Sequence, residues 1–174
     1  MRPELRYGLG AGLAWILWIA IEFALGFHTT HLRAGEIASW MTEVIQFGVL
    51  VLLLRSAHRL MPLGRLEPWD AVLKSLVTSA VFAVVIYAGT ILCVDFIDPS
   101  WLTRMLTWKV TEMRGAGVSE ETIRAFIVST RQEYSALGLA RLCFVLTPLI
   151  GAVMGMVICI FLNWRWEKVN LVSP

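Results

Sequence analysis

Charge is scarce in this chain. Only 16% of its 174 residues are Asp, Glu, Lys or Arg, whereas 57% are hydrophobic, against roughly a quarter charged in soluble domains. That composition does not build the water-facing surface of a soluble globular protein. The formal net charge of +2 is small, and the basic residues are dispersed rather than run together, which argues against nucleic-acid binding. Catalytic triads, metal-ligand sets and phosphate-binding loops are missing as well, so no enzymatic activity and no cofactor are expected. Cysteine is equally sparse. Cys93, Cys143 and Cys159 lie within or beside apolar stretches, without C-x-x-C spacing or a nearby histidine pair, which argues against a zinc or redox site. They read as small buried apolar residues, with a Cys93–Cys143 disulfide as the alternative. The first apolar run follows Arg2 and Arg6 but lacks an A-x-A cleavage site. At about 20 residues it is also longer than a secretory signal core, so it reads as a retained helix.

What the chain does have is four long apolar stretches, at about Tyr7–His28, Ile37–Leu54, Ala71–Val94 and Leu142–Leu162. About 20 apolar residues in a helix cross the roughly 30 Å hydrocarbon core of a bilayer. The expected fold is therefore all-α, a four-helix transmembrane bundle in a single domain spanning 1–174, with one substantial loop. The short link between the first two stretches makes them antiparallel neighbours. The link from Arg55 to Asp70 is basic and broken by Pro62, Gly64 and Pro68, with Trp69 placed to anchor the third span at the interface. Asn163-Trp164-Arg165-Trp166 closes the fourth with an aromatic belt. Pro148 removes a backbone donor and frees the Phe144 carbonyl, which predicts a kink.

The polar stretch between spans three and four, about 98–135, predicts an amphipathic helical hairpin. Asp98-Pro99 marks a helix start. Trp101, Leu102, Met105, Leu106, Trp108 and Met113 then recur at helical spacing against charged residues, as in a helix lying on a membrane surface or folded over the bundle. Gly115-Ala116-Gly117 stops it. Ser119 caps a second helix, with Glu120 and Glu121 complementing its dipole. Nothing after Glu120 clearly ends that helix before Leu162, so it is expected to run into span four. Of the fifteen Lys and Arg residues, eight fall on the side that holds both termini, in shorter segments, and seven on the other. This predicts both termini in the cytoplasm and the hairpin outside.

The order of several short motifs carries a resemblance. Arg6-Tyr7-Gly8 opens span one and Gly35-Glu36-Ile37 opens span two. Asp98-Pro99 follows span three, and Gly117-Val118-Ser119-Glu120-Glu121-Thr122-Ile123 begins the last extramembrane helix. In this order the chain, over about residues 5–165, resembles small four-pass bacterial membrane proteins classed as domain of unknown function four-one-nine-nine. Its many tryptophans and alanine-rich spans differ from the lysine-rich members. The resemblance implies a bacterial inner-membrane location and four helices. It implies no activity and no catalytic residues.

Charged groups inside spans cost about 2.5–3.5 kcal/mol each on insertion scales, so each needs a reason to be there. Glu22, Glu43, Gln46, Asp95 and Arg141 all fall near the outer-leaflet level of their spans. The expected arrangement is a hydrogen-bonded cluster that sets helix register, with Arg141 answering Glu43 or Glu22. A cation or proton site is the alternative. His28 and His31 read as loop residues near Glu36 rather than a metal site. Gly8-x-x-x-Gly12 and Gly151-x-x-x-Gly155 suit close helix packing, within the bundle or with another subunit. Trp101, Met105 and Trp108 form a candidate partner face. The expected function is that of a non-enzymatic accessory or interaction subunit. Its contacts would be membrane lipid, other membrane subunits or a second copy. A small proton- or cation-linked transporter is the alternative.

Overall fold

The structure, a computed structural model, describes residues 1–61 and 65–171, with side chains through 165. Pro62 and Gly64 of the second link, and the Trp166 and Lys168 side chains, lie outside the described residues. The fold is all-α, with no strand among the described residues. Four helical stretches are long and apolar enough to cross a membrane: Pro3–Ala24, Leu32–Leu60, Pro68–Ile97 and Ala136–Arg165. The first is helix α1. The second is the short α2 (Leu32–Ala38) and α3 (Met41–Leu60). The third is α4 (Pro68–Ile91), extended by a π-helical turn over Leu92–Ile97. The fourth joins α7 (Ala136–Arg141), a π-helical turn over Leu142–Leu146 and α8 (Thr147–Leu171). Between the third and fourth spans stand α5 (Trp101–Gly115) and α6 (Glu120–Glu133), the expected hairpin.

Several expected boundaries move. The first span ends four residues early, because Gly26 adopts φ +71°, which favours glycine. The Phe27 N–H then reaches back to the Glu22 carbonyl at 3.0 Å, the wrapped helix end of a Schellman motif. Gly117, at φ +75°, ends α5 in the same way, with the Val118 N–H on the Met113 carbonyl at 3.0 Å. Helix α5 itself starts at Trp101, two residues past Pro99, with Ser100 at its N-cap position. The Ser119 hydroxyl accepts from the Thr122 N–H and starts α6. The expectation that α6 runs unbroken into span four is corrected. It ends at Tyr134, and the Ser135 hydroxyl accepts from the Gly138 N–H to begin a new helix, because serine offers the chain this local alternative to continuing the turn. Pro148 sits at the start of α8, directly after the π-helical turn. The last bond of that turn runs from the Thr147 N–H to the Leu142 carbonyl, just before the residue that has no donor.

Helix α4 lies centrally and packs on α1, α3 and α8. Two apolar clusters flank it. Leu50, Leu53, Leu54 and Ala57 of α3 meet Leu66, Ala71, Ile158 and Cys159 towards one end. Ala11 and Trp15 of α1 meet Phe82, Ala83, Ile86 and Cys143 towards the other. All three cysteines are free thiols, so the Cys93–Cys143 disulfide does not form. Side chains of α8 hold Leu66, just before α4, with the Cys159 thiol donating to its carbonyl at 3.4 Å. Asn163 accepts from the Leu66 N–H at 3.0 Å and donates to the Leu66 carbonyl at 2.9 Å, satisfying both backbone groups of a fully buried residue.

Candidate functional site

Between the two apolar clusters α4 turns a polar strip inward: Ser75, Thr78 and Ser79, all buried. Gln46 of α3, also buried, donates from Nε2 to Ser79 Oγ at 2.9 Å and to the Thr147 carbonyl at 3.0 Å. One amide therefore ties three spans together. The glycine pairs explain how the backbones come so close. A Cβ on Gly151 would overlap the Ser79 side chain, and one on Gly155 would overlap that of Ser75. On another face of α4, a Cβ on Gly8 would stand 2.7 Å from the Thr78 carbonyl, and one on Gly12 2.7 Å from Val85 Cγ1. Both Gly-x-x-x-Gly faces are thus occupied within the bundle. Of the two uses the motifs suit, packing within the bundle is the one found, because α4 lies against each face. In lipid, where apolar surface gains little from burial, such close packing is a main source of helix association.

A second polar site forms at the end of the bundle that carries α5 and α6. Glu22 is 4% exposed. Its Oε1 accepts from Trp18 Nε1 at 2.6 Å, one turn earlier on α1. Its Oε2 lies 3.1 Å from His28 Nε2. The turn at Gly26 makes this contact, since it reverses the chain and lays His28 back over the helix it has left. The His28 ring packs 4.4 Å from Phe23 and, edge-on, 6.0 Å from Trp101. Arg104 of α5 donates to the His28 carbonyl at 3.1 Å and forms an ion pair with Asp98. The hydrogen bond from Arg104 and, after it, that from Ser100 hold the Asp98 carboxyl below its ordinary range. Tyr134, whose hydroxyl burial pushes upward, stacks edge-on against Trp101 at 5.2 Å. A further link runs from Lys109 Nζ to Glu36 Oε1 at 2.8 Å, with Glu112 at 3.0 Å. Glu36 and then Glu112 hold that ammonium above its usual value. Arg114 closes the hairpin with two hydrogen bonds to Glu120, at 2.7 and 3.1 Å.

The five intramembrane polar residues therefore do not form one cluster. Glu22 and Gln46 are buried in different settings. Glu43 is half-buried, with Oε2 shielded and, among the described residues, lacking a hydrogen-bond partner. Asp95 and Arg141 are exposed. Among the described residues Arg141 pairs with neither Glu22 nor Glu43; it closes α7 on the surface, and His28 takes the place beside Glu22. Trp101, Met105 and Trp108 are half-buried, because α5 folds over the α1–α3 link and uses that stripe against its own chain. Among the described residues, no group of three or more His, Cys, Asp or Glu side chains is placed to hold a metal. Sequence reasoning missed His28, Trp18, Arg104 and Asn163. The four-residue spacing of Trp18 and Glu22, and a glycine four residues past Glu22, were the available signals for the first two.

This geometry defines a class: a four-pass α-helical membrane protein with a polar layer between its spans and a helical hairpin strapped across one end. The family model described as protein of unknown function (DUF4199) matches residues 6–163, and the chain belongs to that family. No curated protein and no solved structure matches it.

Proposed function

We propose that the protein is a non-enzymatic interaction subunit of the bacterial inner membrane, with both termini cytoplasmic and the α5–α6 hairpin outside. The observation that carries this reading is the hairpin's construction. Only Leu106, Ile123 and Thr130 of its two helices are fully buried. Polar links tie it to the connection between α1 and α3, from Lys109 to Glu36 and from Arg104 to the His28 carbonyl, and Arg114–Glu120 joins its two helices. Glu121, Arg124, Val128 and Arg131 of α6 are left facing outward, with Val128 66% exposed. A rigid, tethered helix with one free face suits recognition of another subunit or a second copy. The sidedness rests on the Lys and Arg distribution. Single cysteines at Ser129 and Glu67, in a background lacking the native three, should react oppositely with an impermeant thiol reagent in whole cells. Labelling at Glu67 but not at Ser129 reverses the orientation.

The partner is tested with a photo-crosslinking amino acid at Val128 in cells, followed by native mass spectrometry in mild detergent. One discrete crosslinked species, lost in Val128→Glu, is expected. A monomer with no crosslink, together with solute flux in liposomes, refutes the reading. The alternative is a proton- or cation-linked transporter working through Glu22, Glu43 and Asp95. The Glu22–His28 pair and the shielded Glu43 oxygen favour it. Against it, the void at the bundle centre, lined by Gln46, Thr78 and Phe82 among others, has no space for a water molecule.

A further inference from the structure

An open groove of about 500 Å³ lies between the α1–α3 link and α5, lined by Thr30, His31, Leu32, Arg33, Ile37 and Trp108. We infer that this groove holds the headgroup of an anionic phospholipid, with its phosphate on Arg33 and His31 and its glycerol and upper acyl carbons against Ile37 and Trp108. Three observations converge on that occupant. The first is charge. Neighbouring Lys109 is already engaged by both Glu36 and Glu112, whereas Arg33 is exposed and, among the described residues, has no ion pair or hydrogen bond from its side chain. An unpaired guanidinium in a groove is suited to bidentate contact with phosphate oxygens. The second is the mixed lining. Thr30, His31 and Arg33 are polar, while Ile37 and Trp108 are apolar, as a glycerophospholipid requires and a free phosphate does not.

The third is location. Leu32–Leu60, α2 followed by α3, is one of the four stretches long and apolar enough to cross a membrane, and the groove sits at its first turns, where headgroups of a surrounding bilayer would lie. Ile37 and Trp40 on those turns are 69% and 70% exposed, an aromatic and an aliphatic side chain facing outward at interfacial depth. This inference holds on either side of the membrane and does not rest on the partner reading.

The full chain, purified in detergent, is titrated with phosphatidylglycerol, with phosphatidylcholine and with glycerol 3-phosphate, and bound adducts are counted by native mass spectrometry. The wild type should retain phosphatidylglycerol about five- to tenfold more than phosphatidylcholine, from about 1 kcal/mol per basic residue at a membrane surface. Arg33→Ala should remove that preference, Arg33→Lys should keep part of it, and Arg124→Ala on α6 should leave it unchanged. Arg33→Gln repeats the test, and unchanged thermal unfolding of each variant shows that the fold is intact. Equal retention of the two lipids overturns the inference. So does an Arg33→Ala protein that behaves like Arg124→Ala. Competition by glycerol 3-phosphate as effective as by the lipid also overturns it, by assigning the groove to a small phosphate instead.

Discussion

Replacing Gly151 by alanine tests whether the α4–α8 contact is the joint on which the bundle depends. The new Cβ would stand 2.6 Å from Ser79 Cβ and 2.9 Å from Gln46 Nε2, and closer still to Ser79 Oγ. Non-bonded carbons prefer about 3.5–4.0 Å, so α8 must withdraw by about 1 Å at this level. Overpacking a tight interior costs about 1–3 kcal/mol. The same shift disturbs both bonds from Gln46, to Ser79 and to Thr147, at about 0.6 kcal/mol each on the membrane-protein average. The expected loss is about 2–4 kcal/mol, roughly a 30- to 1,000-fold shift in the unfolding equilibrium. Reversible unfolding in mixed detergent micelles measures it. The sharper test adds Ser79→Gly, which removes the atoms that the new methyl meets. Alone, Ser79→Gly deletes an acceptor and weakens a helix. With Gly151→Ala, the two faces exchange small for large, and the double variant should be at least about 1 kcal/mol more stable than additivity predicts, above the scatter for independent sites. A Gly151→Ala protein as stable as wild type, or a strictly additive pair, would refute the close contact and the central place given to α4.

Two further outcomes follow from the hairpin end. Glu22→Gln keeps an acceptor for Trp18 but replaces the carboxyl beside His28, and should cost about 1–2 kcal/mol; in a His28→Phe background the same change should cost clearly less, and equal losses in both backgrounds would show that the two groups do not interact. Asp98 is held below its unfolded carboxyl value, chiefly by Arg104, so its contribution is fully present above about pH 4 and is lost as pH falls through the lowered value. Trypsin cleavage around Arg104, read after brief acid exposure, should therefore stay flat from pH 7 to 5 and rise only in stronger acid, while Asp98→Asn should be cleaved readily throughout; a transition near pH 6 would assign the strap to a histidine instead.

Local physics is enough to read much of this protein from its residues. Apolar runs of about 20 residues have one low-energy form in lipid, because a backbone without water must satisfy its own hydrogen bonds. Four spans and a helical hairpin follow from that, together with the Ser119 cap and the stop at Gly117, whose partners lie within five residues. Pairings between distant residues follow no such rule. Gln46 could be recognised as a polar residue inside a span, but its acceptors lie 33 and 101 positions away, and only the packing of α3, α4 and α8 selects them. Glu22 was equally visible, yet its partner is His28 rather than Arg141, because the left-handed turn at Gly26 directs the chain back over α1. The two Gly-x-x-x-Gly motifs marked faces able to approach another helix closely; that α4 occupies both was decided in three dimensions, by which side chains reached those faces first. Sequence pattern thus determined the four spans and the hairpin, while the tertiary structure decided where helices break and which polar groups meet, because a hydrogen bond depends on distances of a few tenths of an ångström that no periodicity encodes.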